Sequence, residues 1–143
     1  MFLSDPGSRP SLMGERLWNQ ALRDLEAARS LDPSRFGYLV ANLAHQAAEK
    51  GLKVACWRIR QEEPPWSHNL RQVAGLLVER PESIPPTVDA DLALLEPLFA
   101  RSRYPSGRID EPIPADLIDK NLSGRALLAA EEVMEWVRSL LVP

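Results

Sequence analysis

Arg101, Arg103 and Arg108 crowd around Tyr104 and Pro105 in the stretch RSRYPSGR, residues 101–108. A guanidinium fork binds phosphate or carboxylate through two parallel hydrogen bonds, and a tyrosine ring stacks on a base or donates its hydroxyl. Three cations so close in sequence suit an anionic ligand. Asp110 and Glu111 follow directly and are able to neutralise them from within the chain, so an anion site and a self-paired corner both stay open. A second group sits upstream, in AHQAAEKGLKVA at 44–55. His45 and Glu49 are four residues apart, the spacing at which a carboxylate reaches an imidazole on one helix face and raises its basicity. Lys50 and Lys53 add cations to the same stretch. The same spacing equally describes a solvated face carrying the pairs Gln46–Lys50 and Glu49–Lys53. His68, in SHNL at 67–70, either fixes the entry of the next helix or faces the arginine stretch and adds to an anion site.

Other chemistries find no residues. No run reads as a glycine-rich phosphate loop. No carboxylate pair suggests metal or glycoside chemistry, and Asp89 and Asp91 read as favourable charges at the start of a helix. One cysteine and two histidines make a Cys/His zinc site improbable. The reading therefore assigns no catalytic residue, no metal and no cofactor. The formal charge of −3 excludes a generic, strongly basic nucleic-acid binder, though not a local patch. Cys56 rules out an internal disulfide and reads as a buried thiol in a reducing compartment. No apolar run approaches the ~20 residues of a membrane helix. Asp5 and Pro6 interrupt the N-terminus too early for a signal peptide. A cytoplasmic protein without membrane contact is expected.

Helices must position these groups. The thirteen prolines punctuate the chain, because proline is poorly tolerated inside a helix. Between them the apolar residues recur at three- and four-residue steps. The expected segments are about 13–31, 34–61 with Asp32 or Ser34 as its cap, 68–80 with Ser67 as its cap, 88–103 bent or divided by Pro97, and 116–141. Residues 1–12 read as a flexible tail and 13–143 as one helical domain. On the second segment Asn42, His45, Gln46, Glu49, Lys50 and Lys53 share an arc of roughly 140°. The opposite arc is rich in alanine and glycine, which lets neighbouring helices approach, so this helix is expected at the centre. Trp18, Trp57 and Trp136 fall beside apolar positions and read as packing residues; Trp66, in a proline loop, reads as exposed. The fold class is all-α, a four- to five-helix bundle.

AHQAAEKGLKVA, SHNL and RSRYPSG, in this order and followed by a long last helix, resemble the HEPN domain (higher eukaryotes and prokaryotes nucleotide-binding) over about residues 18–137. The resemblance implies an up-and-down helical bundle, commonly a homodimer, with prokaryotic members often paired with a minimal nucleotidyltransferase in toxin–antitoxin-like systems. It also implies that many members are metal-independent RNases using an Arg-x(4–6)-His motif. That motif is absent. Nine residues separate Arg35 from His45, seven separate Arg60 from His68, and no histidine follows Arg101, Arg103 or Arg108. The expectation is a non-catalytic protein that binds a nucleotide or a nucleotidyltransferase partner. Arg101, Arg103, Tyr104, Arg108, Lys50 and Lys53 would make the contacts, supported by His45, Glu49 and His68. A divergent HEPN RNase and a purely structural dimeric scaffold are the alternatives.

Overall fold

Alanines at 41, 44, 47, 48 and 55, with Gly37 and Gly51, leave one face of the second helix nearly without side chains, and all of them are buried. Close approach by two partners follows. In the computed structural model, which describes residues 7–142, α1 (Arg9–Ser30) and α7 (Lys120–Leu141) pack along α2 (Pro33–Ala55). The shorter α3 (Leu70–Gly75), α4 (Pro86–Leu95), α5 (Leu98–Arg101) and α6 (Pro114–Leu117) complete the bundle, with α4 laid on α7. Among the described residues there is no strand. The core runs through Leu52, Leu70, Val73, Leu92, Leu95, Val133 and Val137, all buried; each fully buried side chain of this size is worth about 1.5–3 kcal/mol over leaving it exposed. Gly37 meets α6 and α7 closely: a Cβ there would stand 2.6 Å from the Ile118 carbonyl oxygen and 3.2 Å from that of Asp119.

The helix limits differ from the sequence expectation in places, each for a local reason. α1 begins at Arg9, because the Ser8 hydroxyl accepts from the Ser11 amide and Pro10 sits harmlessly in the first turn. Residues 9–12 are thus helical, and residues 1–6 of the expected tail lie outside the described residues. Asp32 caps α2 by accepting from the Ser34 amide, while Phe36 leaves helical geometry just inside it. α2 stops at Ala55 and continues as a wider π-helical turn, Cys56–Arg60, closed by Gln61 at φ 57°. Asn69, not Ser67, caps α3, which is far shorter than 68–80; Ser67 instead accepts from the Asn69 amide. The fourth segment divides at Glu96 and Pro97, as proline requires. Asp119 caps α7, and α6 is a separate turn in the proline loop. Trp57 is buried, Trp18 and Trp136 pack on the core, and Trp66 is 96% exposed. Cys56 is buried, and burial pushes its thiol pKa up.

Candidate anion site between the second helix and the end of the fifth

The end of α5 is tied to the middle of α2. Ser102, buried, donates to the Leu98 carbonyl and accepts from the Asn42 amide at 3.1 Å; Gln46 in turn donates to Asn42. This fixes the chain just before Arg103 and delivers Phe99 and Arg103 over the face of α2 that carries His45, Glu49 and Lys53.

Glu49 is the hub there. Its Oε1 accepts from His68 Nδ1 at 2.9 Å and its Oε2 from Lys53 Nζ at 3.1 Å. A carboxylate only accepts, so the His68 proton sits on Nδ1 and Nε2 is left for another partner. Burial pushes the Glu49 carboxyl up, but the His68 hydrogen bond and the Lys53 ammonium together outweigh it and lower its pKa. His68 is 56% exposed at its side chain and stacks on Phe99, ring centroids 4.0 Å apart. Arg103 lies over the same ring, 4.4 Å from the centroid, within cation–π range.

His45 is 1% exposed, with its ring centroid 5.5 Å from that of Phe99. Its Nδ1 is 3.9 Å from Glu49 Oε1, too long for a hydrogen bond, and neither ring nitrogen has a hydrogen-bond partner among the described residues. Burial, opposed by Glu49 and reinforced by the charges of Arg103 and His68, drives its pKa down to about 4. The expected gain in basicity from Glu49 is therefore reversed, because desolvation of the imidazolium outweighs a carboxylate that is already occupied.

The structure thus gathers five of the expected residues, His45, Glu49, Lys53, His68 and Arg103, and adds Phe99. The other four lie apart. Lys50 bonds the buried Asp24 of α1 and reaches Gln46 Oε1 at 3.4 Å. Arg101 pairs with Glu111 at 3.7 Å, and Arg108 holds Asp110 with two hydrogen bonds, which lowers that carboxyl's pKa. Tyr104, 69% exposed, lines a depression of about 250 Å³ with Arg101, Pro105, Glu111 and Pro112. Arg103 alone of the three arginines meets no carboxylate within ion-pair distance among the described residues. The spacing that would have revealed Phe99 is its position four residues before Arg103, one helical turn.

Asp91 is not the simple dipole charge expected of it. It lies beyond the first turn of α4, and burial, together with the Glu132 carboxyl of α7, raises its pKa to about 7. Asp89 is in the first turn and pairs with Arg71 at 2.9 Å. Among the described residues no group of three or more His, Cys, Asp or Glu side chains is placed to hold a metal ion, and no helix is long and apolar enough to cross a membrane.

Known proteins similar to this chain bear on its fold and family. A family model described as the HEPN domain matches residues 15–140. The crystal structure of TT1696 from Thermus thermophilus superposes with a TM-score of 0.76 at 22% identity, covering 90% of this chain and 98% of that one. That of ST0689, an archaeal HEPN homologue, gives a TM-score of 0.70 at 22% identity with the same coverage. At that identity the two structures bear on the fold. No curated protein matches the chain.

Proposed function

The chain belongs to the HEPN domain family, and on that premise we propose that it is a non-nucleolytic binding protein. Its ligand is the phosphate of a nucleotide, free or presented by a nucleotidyltransferase partner, held at the edge formed by Arg103, His68 and Lys53. A homodimer and a toxin–antitoxin-like pairing with that partner belong to the same proposal.

Arg103 carries the reading. Its neighbours Arg101 and Arg108 are neutralised by Glu111 and Asp110, whereas Arg103 rests on an aromatic ring. An arginine supported by a ring keeps its N–H fork for an incoming anion, and the ring holds it in place. His68, which stacks on the same Phe99 ring, offers Nε2 as a second hydrogen-bonding group. The absence of the Arg-x(4–6)-His pattern from the sequence is the ground for calling the protein non-nucleolytic.

One observation favours the second reading, a divergent metal-independent RNase. Histidine and arginine distant in sequence share one ring here, and His68 is oriented by a carboxylate as a general base is. One experiment separates the readings. The purified protein is incubated without metal with a mixed RNA pool, and its melting is followed with ATP, GTP, CTP and UTP. Binding predicts intact RNA and a raised Tm with at least one nucleotide, since a ligand at 100 times its Kd stabilises by about 2.7 kcal/mol. The shift should vanish in Arg103→Ala and persist in Arg108→Ala. RNA cleavage lost in Arg103→Ala would establish the enzyme instead. Under the scaffold reading Arg103→Ala lowers the Tm and no nucleotide changes it.

A further inference from the structure

The end of α5 is held by a chain of hydrogen bonds that begins on α1. Asp24 of α1, buried, accepts from Gln20 Nε2 at 3.0 Å and from Lys50 Nζ. Lys50 also donates to Gln46 Oε1 at 3.4 Å, the longest link. Gln46 Nε2 donates to Asn42 Oδ1, Asn42 Nδ2 donates to Ser102 Oγ at 3.1 Å, and Ser102 donates to the Leu98 carbonyl. Residues 42, 46 and 50 follow one another at four-residue steps on one face of α2, over about 12 Å at 1.5 Å per residue. The chain thus joins α1, α2 and α5 and ends one residue before Arg103.

Every bond from Lys50 onward points the same way. An ammonium has donors only, so it can meet Gln46 only at the amide oxygen. The Gln46 NH2 is then turned to Asn42 and can meet only its oxygen. The Asn42 NH2 in turn faces Ser102, whose oxygen accepts and whose proton goes to Leu98. One charge therefore fixes the orientation of two amides and a hydroxyl, and the Asp24 carboxylate keeps that charge in place. Asn42, Gln46 and Lys50 are half-buried and Ser102 is buried, away from the bulk water that would otherwise satisfy a turned amide; in such surroundings linked hydrogen bonds strengthen one another.

We propose that Lys50 is a positioning residue for the Arg103 site, with Asp24 as its anchor. Its charge sets the direction of the chain through Gln46, Asn42 and Ser102, and the chain holds the end of α5 so that Arg103 stays over Phe99. This rests on Arg103 being the group that holds the phosphate, and it gives Lys50 a role at one remove from the ligand.

The test reads Arg103 in two ways. Protons over an aromatic face resonate upfield, so the Arg103 side-chain NMR signals report its seat on Phe99 without any ligand; Arg103→Lys assigns them. Affinity is measured by titration with whichever of ATP, GTP, CTP and UTP raises the wild-type Tm most. Lys50→Met keeps the aliphatic stem and removes the donors. The Arg103 signals should move downfield, and affinity should fall about threefold or more. Asn42→Leu cuts the chain in its middle while leaving the Asp24–Lys50 pair intact, and should do the same. The double variant should be no weaker than the weaker single, because cutting one chain twice releases Arg103 once. Lys50→Arg, which still offers only donors, should restore both readouts. Arg103 signals unmoved in Lys50→Met and Asn42→Leu, whatever their Tm, would overturn the proposal and leave the chain a merely structural one. Losses of affinity that multiply in the double variant would overturn it too, in favour of a Lys50 that touches the ligand. If the wild type binds none of the four nucleotides, the Arg103 signals still decide the role of the chain, and it is the nucleotide reading of the site that fails.

Discussion

Phe99 is where the chemistry of α2 meets that of the arginine stretch, since His68 and Arg103 both lie on its ring. Phe99→Leu keeps an apolar side chain at this half-buried position but removes the π face. A cation–π contact at an exposed site is worth about 0.5–1 kcal/mol, so nucleotide affinity at the Arg103 site should fall about two- to fivefold. Titration against the wild type measures this. An unchanged affinity would mean that the ring does not hold Arg103 for the ligand. Much of this site was legible in the sequence: the four-residue spacing of His45, Glu49 and Lys53 placed them on one face, and the arginine stretch contained Arg103, though nothing in it set Arg103 apart from Arg101 and Arg108. The wheel could not say what faces each residue. Lys50 falls in the same arc, yet it turns to Asp24, twenty-six residues away in sequence. Nor does spacing report burial, and burial decides that His45 stays neutral.

At the scale of the elements, the small residues of α2 set how near its neighbours come. Gly37 and Gly124 make the contrast measurable. Gly37→Ala drives a Cβ to 2.6 Å from the Ile118 carbonyl oxygen, and backbone on that side yields less readily than a flexible side chain would. Overpacking of this kind costs about 1–3 kcal/mol, so the variant should melt several degrees below the wild type. A Cβ at Gly124, inside α7, meets nothing within 4 Å. Gly124→Ala should raise stability by roughly 0.5–1 kcal/mol, because alanine loses less backbone entropy in a helix interior. Thermal melts of both variants decide the matter; a neutral Gly37→Ala would overturn the close contact of α2 with the Ile118 carbonyl. The helices themselves were readable because prolines bound them and apolar residues step at helical period. Their ends were less so. The π-helical turn after Ala55 and the separate α6 have no signature in the periodicity, and Ser67, the expected cap, stands only two residues before Asn69, which caps α3.

For the whole molecule, two buried or half-buried groups on different helices, His45 on α2 and Asp91 on α4, pull stability in opposite directions with pH. His45 has its folded pKa lowered from 6.5 to about 4. Below pH 6.5 the unfolded chain takes up a proton that the folded chain refuses, so this group costs stability progressively as pH falls from 6.5 toward 4. Asp91 has its folded pKa raised from 3.8 to about 7. The folded chain holds a proton that the unfolded chain releases, so its penalty is full above pH 7 and is relieved as pH falls toward 3.8. The windows overlap almost entirely, and the wild-type melting temperature should vary little between about pH 5 and about pH 7.5, leaning toward the neutral side. That lean follows because Asp91 is partly exposed and solvent screens its share, while the His45 ring is sealed. Glu49 contributes outside this range: its lowered pKa gives stability that is lost only as pH falls below the ordinary carboxylate value of 4.5. Removing either partner should expose the other. Asp91→Asn should raise the melting temperature more at about pH 7.5 than at about pH 5, steepening the loss toward acid. His45→Gln, which cannot titrate, should invert the profile and leave the protein more stable at about pH 5 than at about pH 7.5, whatever its overall loss from packing. Melts of the three proteins at the two pH values test the balance through the change in slope. Parallel profiles for all three would show that neither group carries its assigned shift in the folded chain.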